Sequence, residues 1–138
     1  MAEQTIPAAT AHDDFPVTSY SIIVGVVGWI IPGAGHLMQK KWVRGSILFA
    51  CIALMYYLGI LMNGKVYTPN SGDVLEMLAF VGDISTGGFY LMARAMEWGL
   101  EAPMTASSAY GTTFIMATGL LNIVSAIDAH HIALGKKP

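Results

Sequence analysis

The sequence predicts an all-α fold: a polytopic membrane protein with three transmembrane helices and one broken helical segment, re-entrant or interfacial. Three observations carry that prediction. Only 12% of the 138 residues are charged while 54% are hydrophobic, against about 25% charged in an ordinary soluble domain. No acidic or basic residue falls between Val17 and Gln39, or between Gly45 and Gly64. Each run is long enough for a bilayer core of about 30 Å at about 1.5 Å per residue. The third observation is DVLEMLAFVGDISTGGFYLMARAMEWGL, residues 73–100, apolar enough to enter lipid yet interrupted by charges and a Gly pair. A four-helix transmembrane bundle is the alternative, should that stretch cross in one piece.

Residues 1–16, MAEQTIPAATAHDDFP, are polar, contain two prolines and lack Lys and Arg. They are expected to form a flexible N-terminal tail, without the positive n-region of a cleavable signal peptide. Residues 17–138 are expected to form one membrane-integral helical domain.

The first helix is expected over about 17–38. Tyr20 suits an interfacial anchor. Ser21, Gly25 and Gly28 recur at helical spacing, and such stripes let membrane helices approach closely. Pro32 has no amide hydrogen and clashes with the carbonyl four residues back, so the regular helix kinks or ends near Ile31. Stopping there leaves about 18 Å of helix after Ser19, too short to cross. The Pro32-Gly33-Ala34-Gly35-His36 turn is therefore expected in or just under the inner headgroup layer, packed against protein. The second helix, about 45–63, holds the cleanest transmembrane signal, SILFACIALMYYLGILMN. The short KKWVRG connection makes helices one and two antiparallel neighbours, with Gly45 letting the second start close to the turn.

Residues 64–75 read as a polar loop with Pro69, Asn70 and Gly72 as turn residues. The third piece, 73–98, is expected as two short helices broken at GDISTGG. An ionised Asp83 at mid-bilayer costs at least ~2.5 kcal/mol, and each Gly adds about 1 kcal/mol of helix penalty. Asp83 is either a functional intramembrane charge or a cap for the following helix; Arg94 offers the same choice between function and structural pairing. The last helix is expected over about 109–130. Gly111, Thr118, Asn122, Ser125 and Ala129 fall on one face, and Asn122 needs a hydrogen-bond partner, so that face should meet the bundle.

With a third piece that does not cross, Lys40, Lys41, Arg44, Lys136 and Lys137 share one side, and Lys65 and Arg94 the other. The positive-inside rule then places the N-terminus outside and the C-terminus in the cytoplasm.

Chemistry is sparse. His36, His130, His131 and Asp128 are expected at one membrane face. There they could bind a metal or hold a haem or chlorophyll axially, or simply complement helix C-terminal dipoles. No HExxH or CxxCH motif and no nucleophile–base pair occurs, so no metal, no resident cofactor and no enzymatic activity are expected. Cys51 stands alone, the nine methionines are scattered and the net charge is −2; the last argues against a nucleic-acid partner. The PGAG glycines lack the following GK[ST] of a phosphate loop.

Pro32, Gly33, Gly35, His36, Arg44 and Gly45 reproduce a Pro-Gly-x-Gly-His turn leading through a basic loop to Arg-Gly. This resembles the helical hairpin of TM2-domain-like bacterial proteins. The blocks YGTTF at 110–114, GLLN at 119–122 and DAHHIALGKK at 128–137 are similar to those of a narrower, uncharacterised family of small bacterial inner-membrane proteins. The resemblance implies a multi-pass protein of the bacterial inner membrane and no established activity.

Three functions are then open. The leading one is a non-catalytic structural or accessory subunit, with the bilayer and either protein partners or its own copies as neighbours. The others are a haem- or chlorophyll-ligating subunit using His36, His130 or His131, and a small transporter or channel component using Asp83 and Arg94.

Overall fold

The computed structural model describes residues 17–69 and 72–136. The expected tail over 1–16, His12, Asn70 and Lys137 lie outside them. The chain is helical throughout its ordered elements: α1 (Ser19–Ile30), α2 (Ala34–Met38), α3 (Trp42–Leu61), α4 (Val74–Ile84), α5 (Gly88–Ala95) and α6 (Ala106–Ala133). Among the described residues, α3 and α6 are long and apolar enough to cross a membrane. The protein is an all-α polytopic membrane protein with a bent helix pair, as its apolar runs require.

α6 is the central element. Its 28 residues extend about 42 Å, beginning where the Thr105 hydroxyl accepts the Ser108 amide at 3.2 Å. Its buried residues include Gly111, Thr118, Asn122, Ser125 and Ala129, the face expected to meet the bundle. Tyr110, Leu120, Val124 and Ile127 point outward and suit lipid tails. α3 packs antiparallel to it: Asn63 accepts a hydrogen bond from Ser108 at the start of α6, while Arg44 reaches Asp128 near its end. Between these levels, Ile52 and Ile115 are wholly enclosed. In lipid, such close packing stands in for the hydrophobic drive.

The first segment departs from one continuous helix over 17–38. α1 stops after 12 residues, about 18 Å, and its contacts show its course. The Ser21 carbonyl meets His130, Gly28 faces Ala126 and the Trp29 carbonyl meets Asn122. α1 therefore runs inward from the C-terminal end of α6 to about its middle. There Pro32 ends it and Gly33, at φ 79°, turns the chain. α2 comes back: Gly35 lies against Val24 and Ala129, and His36 against Asp128. The first segment is a helical hairpin whose two ends both lie by the C-terminal end of α6.

The second broken segment packs along the other half of α6. Lys65 pairs with Glu76 near the start of α6, where the Lys65 amide donates to Thr112. α4 then descends along α6, with Gly82 against Met116 and Gly119, until Ser85 reaches Asn122. α5 leaves α4 at 108° and returns, so that Gly99 accepts a hydrogen bond from Val66 at 2.8 Å. The break falls where the sequence places it, at GDISTGG.

This geometry revises one expectation. The start of α1, the Lys40–Arg44 turn and the end of α6 all lie at one end of the bundle, here termed the basic face. Within the bundle α1 and α2 thus run in and back along the same half of α6, the Pro32-Gly33 turn folding α2 back on α1. The Pro32-Gly33 turn accordingly lies beside the middle of α6, where Trp29 meets Asn122.

Candidate functional site

Three polar arrangements are built into this scaffold. The deepest is the junction of the two hairpins. Pro32 and Gly33 end the regular ladder of α1, so the Trp29 carbonyl lacks its normal acceptor role within the helix. Gly87, at φ 64°, breaks the ladder after Ser85 in the same way. Asn122 repairs both, its Nδ2 donating to Trp29 O at 2.8 Å and to Ser85 O at 2.9 Å. Its side chain is wholly buried, about 17 Å from the basic-face end of α6 by helix rise. Orphan carbonyls at that depth have no water to turn to. The two breaks also touch directly: a methyl group on Gly87 would collide with Trp29 O, so only glycine fits there.

The second arrangement is at the basic face. His36, fully enclosed, lies 3.1 Å through Nε2 from Asp128 Oδ2. Arg44 approaches the same oxygen at 3.6 Å from a half-exposed position. Gln39 donates to Gly35 O at 3.1 Å and to Ala129 O at 2.8 Å, tying α2 to α6. His130 contacts Ser21 O through Nδ1 at 2.8 Å, and its ring lies 6.1 Å from that of His131. His36, Arg44 and Asp128 thus meet at one point, while His130 turns to α1; among the described residues no group of three or more His, Cys, Asp or Glu side chains gathers to hold a metal ion. His36 Nε2 faces a carboxylate and His130 Nδ1 a backbone carbonyl, while His36 Nδ1 is buried without a hydrogen-bond partner. His36 presents no open imidazole face to a macrocycle. His131 instead lines an open groove of ≈ 370 Å³ with Leu48, Leu121, Val124 and Ser125.

The third arrangement surrounds Asp83. Its carboxylate is wholly buried, and Oδ2 accepts the Tyr67 amide at 2.6 Å. The Tyr90 hydroxyl donates to Tyr67 O at 3.3 Å. Asp83 is not a cap for α5. Its side chain turns to Tyr67, and the Thr86 hydroxyl donates to the Asp83 carbonyl at 2.7 Å. Arg94 does not join it. It is exposed in the last turn of α5, and the ion pairs among the described residues are His36–Asp128, Arg44–Asp128 and Lys65–Glu76.

Of the motif residues, Pro32, Gly33, Gly35 and Gly45 are all buried around the first break. A methyl group on Gly45 would stand 2.9 Å from Gly33 O, which accounts for the start of α3 so close to the turn. With the turn, junction and second span so placed, the comparison with known families is decisive: a family model matches residues 23–138, from within α1 to the end of the chain. The chain belongs to DUF6677, a family of unknown function. The matched region takes in both hairpins, both spanning helices and all three polar arrangements. No curated protein and no solved structure matches the chain.

Sequence reasoning did not single out Tyr56, Tyr67, Tyr90 or Gln39. Tyr56 carried a signal, a phenol deep in an apolar run. Tyr67 carried none, since it acts through its backbone amide.

Proposed function

We propose that this DUF6677 chain is a non-catalytic integral membrane component that works within an assembly, as an accessory subunit or through its own copies. One observation carries this reading. Each hairpin fills only half the membrane depth, and on the basic-face half of α3 and α6 an open groove of ≈ 370 Å³ remains. Ser125 lines it, and the Ser125 hydroxyl is buried without a partner. Leu48, Leu121, Val124 and Ile127 make much of its lining apolar, and a neighbouring helix fills such a groove by close packing. Two spanning helices and two half-depth hairpins also enclose little volume on their own.

The test is a cysteine at Val124, on the outer edge of the groove, in a Cys51→Ser background within native membranes. Oxidative cross-linking is expected to give a discrete adduct, either a dimer or a heterologous complex identified by mass spectrometry. Only monomer at every oxidant level, with native mass spectrometry agreeing, overturns the proposal.

The positive-inside rule supports a cytoplasmic basic face, since Lys40, Lys41, Arg44 and Lys136 gather there and Lys65 and Arg94 opposite. In this reading the start of α1 is cytoplasmic as well. A bacterial inner membrane is the setting that the hairpin motif suggests.

A second reading, a transporter or channel component, is favoured by the two opposed hairpins, because broken helices at membrane depth line substrate sites in transporters. Flux in reconstituted vesicles that Asp83→Asn abolishes supports it; flux unchanged by that substitution removes it.

A further inference from the structure

Asp83 combines three features that a structural carboxylate does not need together. It is wholly enclosed, it lies about one helical turn from the mid-membrane junction, and Oδ1 has no hydrogen-bond partner. Its single donor is the Tyr67 amide on Oδ2.

The groups facing it come from every neighbouring element. Tyr56 on α3 places a buried hydroxyl, also without a partner, within electrostatic reach. Tyr90 on α5 lies within the same reach and is hydrogen-bonded to Tyr67 O. Neither nearby cation pairs with it: Lys65 pairs with Glu76 at 3.5 Å and lies over the Tyr67 ring, and Arg94, exposed at the end of α5, lies within electrostatic reach of the Tyr90 phenol but forms no ion pair with Asp83. A carboxylate with one amide donor and no paired cation is costly at this depth. A metal ion would need several oxygens, and the packing offers few. A proton needs only one.

An approach also exists. A cavity of ≈ 420 Å³ is lined by Tyr67, Asp73, Glu76, Ala79 and Met116. It runs from the face opposite the basic one to Ala79, one turn before Asp83 on α4. Tyr67 stands between this cavity and the carboxylate.

We propose that Asp83 is an exchangeable proton site served from the face opposite the basic one, with the Tyr67 backbone covering it. A proton adds to a lone pair of Oδ1, one O–H bond forms, and the charge is neutralised. Release returns the proton to water and leaves the carboxylate on the Tyr67 amide. Tyr56 Oη, also without a partner, lies within electrostatic reach of the group so neutralised. The site goes beyond both readings of function, since proton binding requires neither assembly nor flux.

The test uses the full chain in lipid nanodiscs and a fluorescent cyclohexylcarbodiimide, which couples to protonated carboxyls in apolar surroundings. Peptide mapping reads each carboxyl separately. Asp83 is expected to label, with labelling falling at least about tenfold between about pH 5 and about pH 9, and Asp83→Asn is expected to lose that adduct. Should the variant not fold, infrared spectra of the wild-type chain decide: a carboxylic C=O band that shifts in D2O and titrates reversibly is expected. No Asp83 adduct and no titrating band overturns the proposal, as does Asp83 labelling that is the same at every pH.

Discussion

The side-chain amide of Asn122 donates to the backbone carbonyl of Trp29 at 2.8 Å, across 93 positions of chain. The same nitrogen holds Ser85 O at 2.9 Å. One residue of the central helix thus receives the inner ends of two hairpins that enter from opposite faces.

Replacing Asn122 with Leu removes both donors and strands two carbonyls where no water reaches. A buried unsatisfied group costs about 1–3 kcal/mol, softened in membranes because the unfolded chain also finds partners. The expected loss is roughly 2 kcal/mol, read as a lower midpoint in denaturation from mixed micelles. An unchanged midpoint would remove Asn122 from its place at the junction.

Gly87→Ala should cost more than Gly82→Ala. Gly87 holds φ 64° and faces Trp29 O, whereas a methyl group on Gly82 meets Met116 at an ordinary 3.6 Å. Strain of about 1–2 kcal/mol from the left-handed backbone adds to the displacement of α1. Thermal melts of the two variants side by side check the order.

At the basic face, His36→Ala should destabilise by about 2 kcal/mol or more, because it empties an enclosed site and removes a partner of Asp128. Arg44→Ala should cost under about 1 kcal/mol, since its side chain is 50% exposed and such pairs contribute little. Comparable losses for both would contradict the assignment of the buried His36–Asp128 contact as the one that holds α2.

Gln39→Leu should loosen α2 without unfolding the bundle. Its amide holds Ala129 O and Gly35 O, so hydrogen exchange should rise over 34–41 while α3 and α6 stay protected. Uniform loss of protection would mean that Gln39 does more than pin the returning arm of the hairpin.

Much of this architecture was legible in the residues. The uncharged run from Gly45 to Gly64 marks α3, and the charge and Gly pair at GDISTGG mark the second break. The small face of α6, with Asn122 turned inward, follows from its spacing. The course of the first segment was not legible, because α1 and α2 are both apolar. Hydropathy over 17–39 reads the same whether the chain crosses once or turns back halfway. Pro32 announces an end to α1 but not the direction that α2 takes. That direction is set by contacts far apart in sequence, His36 with Asp128 and Gln39 with Ala129. The surroundings of Asp83 were hidden for a similar reason. Its donor is a backbone amide from a loop whose composition says only that it is polar.

The most direct test of the two-hairpin account is the sidedness of the start of α1. Single cysteines at Val17, Lys41 and Thr105 in a Cys51→Ser background would be treated with a membrane-impermeant maleimide in oriented vesicles. The account predicts that positions 17 and 41 react from one side and 105 from the other. Reaction of positions 17 and 105 from the same side, opposite 41, would show that the first segment crosses the membrane and would contradict it.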